Sequence, residues 1–250
     1  MDKLISRAAE FISPVVELIY PQICLVCAER EASTGPLVCP KCWKALLRLV
    51  RLRDSSAGRT IPYPGDKGSA PKNIPTIPIY SLSEYLDPLA QMIQLFKFHG
   101  YLRLGKRLGL LLGRRTAACM RLLPSSRLVP APLHFADYKR RGFNQAEILS
   151  DTLSKAYGLQ VEKRLIDKPI KTKSQSRLSA EERAYNLAGA FSTEASDLDG
   201  APVILVDDVI TTGATISELG RTLSESGAVV VGAVALASAL KAFTLADPEE

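Results

Sequence analysis

The chain has 250 residues, of which 46% are hydrophobic and 23% are charged. This composition supplies enough apolar material for a packed core and excludes a wholly disordered chain. The net charge of +6 hides an asymmetry, since residues 194–250 carry a net −8 and the rest of the chain +14. A basic body is typical of proteins that bind phosphates or nucleic acid, although scattered solvated charges give the same count.

The sequence predicts no membrane-spanning helix and no signal peptide. Its longest apolar stretch, Gly227–Leu240, has 14 residues, fewer than the roughly 20 that a spanning helix needs. Asp2, Glu10 and Pro14 interrupt the N-terminal segment where a signal peptide has its apolar core. We therefore expect a chain that stays in the cytosol with reduced cysteines.

An amphipathic helix is predicted ahead of the first cysteine. Apolar residues recur there at helical spacing, at Leu4, Ala8, Phe11, Ile12, Val15, Val16 and Ile19. Docking on the chain itself is the ordinary role of such a helix, and contact with a membrane surface is the alternative.

Four of the five cysteines form two C-x-x-C pairs, Cys24 with Cys27 and Cys39 with Cys42, and 11 residues separate the pairs. Two such pairs can present four thiolates to one tetrahedral zinc ion. Disulfides are disfavoured in the cytosol, and a thioredoxin-like motif does not need a second pair. The spacing favours a closed, structural zinc site. Cys119, in an apolar context, is predicted to be a buried, inert thiol.

Proline and glycine are concentrated in residues 54–75, which predicts an extended linker. It separates a first domain at 1–53 from a second at 76–241, and a tail follows at 242–250. Periodicity predicts strands at Thr76–Tyr85, Arg127–Val129, Val203–Val206 and Val229–Leu236, and helices at Leu86–Phe98, Leu102–Cys119, Asn144–Tyr157, Glu181–Leu187 and Thr215–Ser226. Short apolar strands that alternate with helices indicate an α/β fold, with a mostly parallel sheet covered on both faces.

The most informative stretch runs from Val203 to Thr215. An apolar strand leads into Asp207 and Asp208, then into a loop of small residues, then into a helix. Such a loop directs backbone N–H groups at an anion at the helix N-terminus. Gly213 permits close approach of the backbone, and Thr211, Thr212 and Thr215 add hydroxyl groups.

The two carboxylates would repel the phosphate itself. They suit neutral hydroxyl groups that lie about one sugar's length away from it. The stretch therefore points to a ribose 5-phosphate. A metal-binding acid pair and an ordinary helix cap with a neighbouring turn are the alternatives. The loop is not a P-loop, because it lacks the lysine of that motif.

Residues 203–215 resemble the phosphoribosyl-pyrophosphate (PRPP) motif of type I phosphoribosyltransferases. The whole chain resembles the ComF family of competence-associated, phosphoribosyltransferase-like proteins. Besides the PRPP motif, the segments that support the resemblance are the four-cysteine zinc ribbon, Lys97-Phe-His-Gly100, Arg141-Gly-Phe-Asn-Gln-Ala-Glu147, Thr172-Lys-Ser-Gln175, Arg183-Ala-Tyr-Asn186 and Gly189-Ala-Phe191.

The resemblance implies roles for residues of three regions: the PRPP motif, a pyrophosphate loop and a flap. Asp207 and Asp208 bind the ribose hydroxyls of PRPP, and Thr211, Thr212, Gly213, Ala214 and Thr215 bind its 5′-phosphate. Residues 129–134 form a pyrophosphate loop that includes Pro132, Leu133 and His134. Arg140 and Arg141 follow it, and arginine is a natural partner of pyrophosphate. A solvated basic turn is the alternative for residues 139–141.

Residues 168–180 correspond to a flexible flap that includes Lys168, Lys171, Thr172 and Gln175. Family members often carry arginine at the positions of Lys168 and Ile170, which is a departure in this chain. The ligand that the resemblance implies is Mg²⁺–PRPP, and the reaction is displacement of pyrophosphate at the anomeric carbon.

The resemblance also implies a role in natural transformation, in the cytoplasm and beside the inner membrane. The implied partners are single-stranded DNA, a competence helicase and an inner-membrane DNA channel. Basic segments at 97–115 and 163–173 suit the backbone of a single strand, with Phe96, Phe98 and Tyr101 near enough to stack on bases. A DNA-handling module that binds PRPP only as a regulator, or not at all, is the alternative to an enzyme.

Overall fold

A computed structural model describes residues 23–29, 37–52, 60–62, 76–122, 125–170, 187, 189–194, 198 and 200–240. The chain divides into two compact units, one up to Arg51 and one from Leu52 onward. The predicted domain boundaries at 53 and 75 stay predictions. In the described part of the chain, no helix is both long enough and apolar enough to cross a membrane.

The first unit contains helix α1, Pro40–Leu52, which begins directly after Cys39. Its buried apolar side chains include Val38, Leu46 and Val50. A unit of this size buries little apolar surface and usually needs a metal or disulfides to fold.

The second unit contains the remaining elements, numbered here in chain order. They are β1 (Thr60–Pro62), β2 (Thr76–Glu84), α2 (Leu89–His99), α3 (Leu102–Leu122), β3 (Arg127–Pro130), α4 (Phe135–Arg141), α5 (Gln145–Tyr157), β4 (Pro202–Ile210), α6 (Ala214–Glu225) and β5 (Val229–Ser238).

These strands form one sheet in the order β1-β2-β5-β4-β3. Strands β2, β5, β4 and β3 are parallel, with Leu205 opposite Ala233 and Val129 opposite Leu205. Only the edge strand β1 is antiparallel to its neighbour β2. Because β3 and β4 are adjacent and parallel, their carboxyl ends meet at the same edge of the sheet, where open α/β sheets bind ligands.

Helices cover both faces of the sheet. On one face, Val203 and Leu205 pack in a buried cluster with Ile216 and Leu219 of α6. Residues alternate between faces along a strand, and α5 and α3 pack on the opposite face. The predicted mostly parallel sheet with helices on both sides is thereby confirmed.

Helix α3 packs closely through glycines spaced four residues apart. A Cβ at Gly105 would lie 2.3 Å from the Phe96 ring, and one at Gly109 would lie 3.1 Å from Thr152 of α5. The glycine face of α3 therefore packs against its neighbours. The opposite face, with Arg103 and Lys106, is exposed to solvent.

Most predicted elements are present with ends that shift by a few residues. The main extension is β4, which continues beyond Val206 to Ile210 and so includes both acidic residues. The predicted N-terminal helix lies outside the described residues, and so does Glu181–Leu187 except for Leu187.

Three elements were not predicted, and one of them is helix α1 of the first unit. Residues 60–62, inside the predicted linker, form β1 and pair with Thr76–Pro78 of β2. Helix α4 lies directly after the predicted loop at 129–134, where no helix or strand was predicted. None of its residues is buried, so it has no apolar face that a search for helical periodicity can detect.

Candidate functional site

The four cysteines of the first unit converge on one point. Their sulfur atoms all lie within 4.8 Å of one another. The Sγ of Cys24 lies 3.9 Å from that of Cys42, and the Sγ of Cys27 lies 3.8 Å from that of Cys39. Four sulfurs bound tetrahedrally at about 2.3 Å from a zinc ion are separated by about 3.8 Å, so this arrangement fits the ion.

Backbone N–H groups point at the same sulfur atoms. Val26 and Cys39 donate to Cys24 Sγ at 3.4 and 3.3 Å, and Cys42 donates to Cys39 Sγ at 3.4 Å. Burial raises the pKa of Cys24, but hydrogen bonds from the backbone of Cys27, Cys39 and Val26 outweigh burial and bring the pKa to about 6. Burial and the neighbouring thiols raise the pKa of Cys42, and a cationic metal favours the thiolate form of all four ligands. The four predicted ligands are therefore positioned to hold a metal ion.

The second unit has a cavity of about 660 Å³ at the carboxyl edge of the sheet. Its walls come from the C-terminus of α2, the turn from β3 into α4, the start of α5, and residues 207–216. Lys168 and Phe191 complete the lining. The volume is in the range of sites for small molecules.

Asp207 and Asp208 lie at the end of β4 and line this cavity. Burial and the charge of Asp208 raise the pKa of Asp207, Lys97 opposes both effects, and the resulting pKa is about 7. The Lys97 ammonium lies 2.7 Å from Asp208 Oδ2, and the two side chains are 26% and 8% exposed. This contact is an ion pair, because Oδ2 accepts no hydrogen bond of ordinary geometry within the described residues.

The predicted phosphate loop, residues 211–215, lines the cavity and leads into α6. Gly213 occupies the N-cap position of α6 with a φ of +80°. Because glycine has no side chain, the N-cap residue itself makes no capping hydrogen bond. Thr212 Oγ1 accepts a hydrogen bond of 3.4 Å from Ala214 N. The first N–H groups of a helix have no partner within it, so the start of α6 offers donors to an anion.

A constraint on Gly213 comes from the unpredicted strand β1. A Cβ at this position would lie 2.5 Å from Cδ1 of Ile61, whose side chain is buried. Gly213 is therefore required by packing and by its positive φ, whatever the loop binds.

The predicted pyrophosphate residues Pro132, Leu133, Arg140 and Arg141 line the same cavity. Arg141 is held on two sides, since Nη1 donates to Gln145 Oε1 at 3.1 Å and the guanidinium lies 5.7 Å from the centre of the Phe98 ring.

The two arginines differ in their surroundings. Arg141 Nε is buried and meets no acceptor among the described residues. Arg140 is exposed and pairs with Asp137 at 2.7 Å. Arg141 is thus the better ordered of the two cations.

His134 has a local structural role. It caps α4, with its Nδ1 accepting a hydrogen bond of 3.1 Å from Ala136 N. It is not among the residues that line the cavity, so its predicted contact with pyrophosphate has no support from the geometry.

Lys168 is the one predicted flap residue that the structure describes, since Lys171, Thr172 and Gln175 lie outside the described residues. Its Nζ lies 5.5 Å from the centre of the Phe191 ring in the cavity wall. Burial lowers the pKa of Lys168, Asp137 and Asp207 oppose that effect, and Arg141 adds to it. Lys168 therefore faces the same space as the two acids and the arginine.

Lys97 and Gln145 are functional candidates that the sequence did not single out as site residues. Lys97 was assigned to a basic segment, and Gln145 to the start of a helix. Gln145 is 2% exposed and also donates from Nε2 to the Lys97 carbonyl at 3.2 Å. The only local signal for Lys97 was its position in the segment Lys97-Phe-His-Gly100, at the end of a predicted helix. That segment does not indicate that Lys97 pairs with Asp208.

The sequence is similar to known proteins over most of its length. A model of the phosphoribosyl transferase domain matches residues 134–243. The DNA utilization protein YhgH of Escherichia coli O157:H7 is 31% identical over 215 residues, which are 84% of this chain and 87% of that protein.

Two further relatives have competence names. Competence protein F of Haemophilus influenzae is 35% identical over 152 residues, which are 58% of this chain and 66% of that protein. Competence protein ComFC of Bacillus subtilis is 35% identical over 100 residues, which are 40% and 39% of the two chains. The predicted resemblance is confirmed, and the chain belongs to the ComF family of competence-associated, phosphoribosyltransferase-like proteins.

Proposed function

We propose that the second unit binds Mg²⁺–PRPP in its cavity and displaces pyrophosphate from the anomeric carbon. One observation supports this most directly. Two carboxylates, a helix N-terminus and four cationic side chains, Lys97, Arg140, Arg141 and Lys168, line a single cavity of about 660 Å³. PRPP has a group for each of them: hydroxyls, a 5′-phosphate and a pyrophosphate.

The ribose 5-phosphate part is assigned to one continuous segment. Asp207 and Asp208 accept hydrogen bonds from the ribose hydroxyls, and residues 211–215 donate to the 5′-phosphate. Because both groups sit at the junction of β4 and α6, the rigid strand and helix fix the distance between them. Sites built on such elements hold a ligand with little loss of entropy.

The pyrophosphate part is assigned to the opposite wall. Arg141 is pre-oriented by Gln145 and Phe98, and Lys168 faces the same space. Mg²⁺ enters with the pyrophosphate as part of the substrate, where it shields the charge and helps this group leave.

The residues act by positioning and by charge. Displacement at the anomeric carbon passes through an oxocarbenium-like state, which needs no protein nucleophile. Arg141 and Lys168 stabilise the negative charge that grows on the departing pyrophosphate. The acid pair keeps the ribose in a fixed orientation for the acceptor.

Calorimetric titration with Mg²⁺–PRPP tests this proposal. The native chain should bind, and ribose 5-phosphate should compete better than pyrophosphate alone, because it keeps both groups that residues 207–215 recognise. Asp208→Asn should weaken binding by roughly ten- to a hundredfold. The double variant Asp207→Ala, Asp208→Ala should abolish it, whereas Asp151→Asn, on the exposed part of α5, should bind normally. Unchanged binding in the double variant would contradict the assignment.

We also propose that the four-cysteine cluster holds one structural zinc ion. All four coordination positions are filled by protein thiolates, which is typical of structural rather than catalytic zinc.

We further propose that the chain takes part in DNA uptake, since its relatives are named competence and DNA utilization proteins. The surface that suits a DNA backbone is the exposed face of α3, with Arg103, Lys106 and Arg114. A helicase and an inner-membrane channel are the partners expected in that process.

Two residues of the predicted DNA surface belong elsewhere. Lys97 lines the cavity and pairs with Asp208. Phe96 is fully buried and stacks on Phe143 at 5.7 Å, so it cannot stack on a base. The second predicted segment is also weakened, because Lys163 pairs with Asp151 at 2.8 Å.

Fluorescence anisotropy with a labelled single-stranded oligonucleotide at several salt concentrations tests the DNA surface. Each phosphate that the protein neutralises contributes about −0.7 to the slope of log affinity against log salt. Arg103→Glu, Lys106→Glu and Arg114→Glu together should reduce that slope, whereas Lys155→Glu should not. A slope that is the same in both variants would reject this face.

A further inference from the structure

The acid pair presents an electrostatic problem that the cavity has to solve. Asp207 and Asp208 are adjacent at the end of β4, and Asp208 is buried. Two carboxylates in one buried site do not both ionise readily, because their charges repel and burial removes water from each. A ligand that carries phosphates adds further negative charge.

The nearest cation comes from a distant part of the sequence. The Lys97 ammonium lies 2.7 Å from Asp208 Oδ2. Lys97 belongs to the last turn of α2, and its carbonyl accepts a hydrogen bond of 3.2 Å from the buried amide of Gln145. The backbone that carries the ammonium is therefore anchored to α5, beside the arginine of the opposite wall.

We infer that Lys97 is the built-in counter-ion of the Asp207–Asp208 pair, a positioning residue that favours the ionised form of both carboxylates while they face a polyanionic ligand. The inference rests on the proposed function of the cavity. Ionised carboxylates only accept hydrogen bonds, so an ionised pair is the form that best holds two sugar hydroxyls. The ion pair neutralises one of the two negative charges without occupying the remaining carboxylate oxygens.

Other charged groups also act on this pair, and they come from α4 and from the segment that contains Lys168. Lys168 faces Asp207, and Arg141 and Asp137 of α4 face Lys168. None of these makes an ion pair with Asp208 among the described residues. Lys97 is therefore the group whose removal should change the ionisation of the pair most.

The first experiment measures the affinity for Mg²⁺–PRPP from pH 5.5 to 9. The native curve should rise with pH toward a plateau. With Lys97→Met, affinity at pH 8 should fall about tenfold or more, and the midpoint of the curve should move to higher pH. Lys97→Arg should restore most of the affinity, and Lys155→Met should match the native curve. A Lys97→Met curve that is lowered equally at every pH would overturn the inference, because it would indicate a structural role only.

Removal of the partner provides the matching control. Asp208→Asn removes the charge that Lys97 neutralises, so its midpoint should move to lower pH. Adding Lys97→Met to Asp208→Asn should then shift the midpoint by much less than Lys97→Met does alone. Equal shifts in both backgrounds would show that Lys97 does not act through Asp208.

The second experiment needs no ligand and separates this inference from the proposed function. Without Lys97, the folded-state pKa of the acid pair rises further above its unfolded value. Stability is then lost as pH rises through that pKa. Urea unfolding should show a deficit of Lys97→Met relative to the native chain that grows from pH 5 to pH 8. A constant deficit would overturn the counter-ion role even if PRPP binds. A growing deficit without PRPP binding would support it and reject PRPP as the ligand.

Discussion

The two units of this protein contain sites of opposite kinds. In the first unit, four sulfur atoms within 4.8 Å of one another point at a common centre. In the second, carboxylates, arginines and helix N–H groups line a cavity of about 660 Å³. The first site needs only an ion to satisfy every ligand atom. The second has space between its polar groups for a small molecule that binds reversibly. We therefore expect one site to serve stability and the other to serve recognition.

The largest effect that we expect comes from the cysteine site. Cys39→Ser with Cys42→Ser removes two of four ligands, and structural zinc contributes about 10–16 kcal/mol in small zinc-binding peptides. Metal analysis should fall from about one zinc per chain to none. Hydrogen exchange should lose its protection in residues 37–51. Affinity for Mg²⁺–PRPP should stay near the native value.

Cys119→Ser is the control, since this fifth cysteine is not one of the four clustered residues. It should keep one zinc per chain. The division between a stability site and a recognition site would fail if the double cysteine variant lost PRPP binding together with zinc.

Local patterns predicted the parts of both sites that lie close together in sequence. The ligands at 24, 27, 39 and 42 follow from their spacing, and the segment 203–215 contains a strand, two acids and a helix start in one run. Parallel pairing of β3 and β4 then explains why residues near Ala131 and Asp207 reach the same edge.

The sequence did not predict which residues reach the cavity only through tertiary packing. Lys97 meets Asp208 across more than a hundred residues, and Ile61 covers Gly213 from a segment rich in proline. His134 was assigned to a ligand because it lies in the predicted loop; its Nδ1 accepts a hydrogen bond from a backbone N–H, and its contact with a ligand stays a prediction. Side-chain direction, rather than position along the chain, decided these outcomes.

The next effect concerns whether β1 belongs to the recognition site. Gly213→Ala combines an unfavourable φ with a contact of 2.5 Å to Ile61, and we expect a loss of about 3 kcal/mol in unfolding free energy. Gly142→Ala is a matched control, because Gly142 has a φ of +78° and no atom within 4 Å of an added Cβ. It should cost about 1 kcal/mol.

A double-mutant cycle isolates the contact itself. Ile61→Ala creates space and should cost about 2–4 kcal/mol. Combined with Gly213→Ala, the total loss should be smaller than the sum, by about 1 kcal/mol. Simple additivity in urea unfolding would mean that β1 does not pack on the loop in solution.

A pH-dependent effect follows from the ionisation of Asp207, whose pKa is raised to about 7. A carboxyl group with a raised folded-state pKa favours the folded state at low pH, and that contribution is lost as pH rises through about 7. Asp207→Asn removes this loss. Relative to the native chain, the variant should therefore gain about 2 kcal/mol of stability between about pH 5.5 and pH 8. Asp151→Asn should show no such gain, and a flat difference for Asp207→Asn would contradict the raised pKa.

The smallest effect distinguishes two neighbouring arginines within the recognition site. Arg141 is oriented by Gln145 and Phe98, and its buried Nε has no partner among the described residues. Because the side chain is already ordered, it can bind a pyrophosphate with little loss of side-chain entropy. Arg140 is exposed and must leave Asp137 to bind. We expect Arg141→Ala to weaken Mg²⁺–PRPP about tenfold and Arg140→Ala about threefold, an estimate that follows from the strength of charge-assisted hydrogen bonds. Both variants should bind ribose 5-phosphate normally in calorimetry. Equal effects of the two substitutions, or a loss of ribose 5-phosphate affinity, would place the pyrophosphate away from this wall.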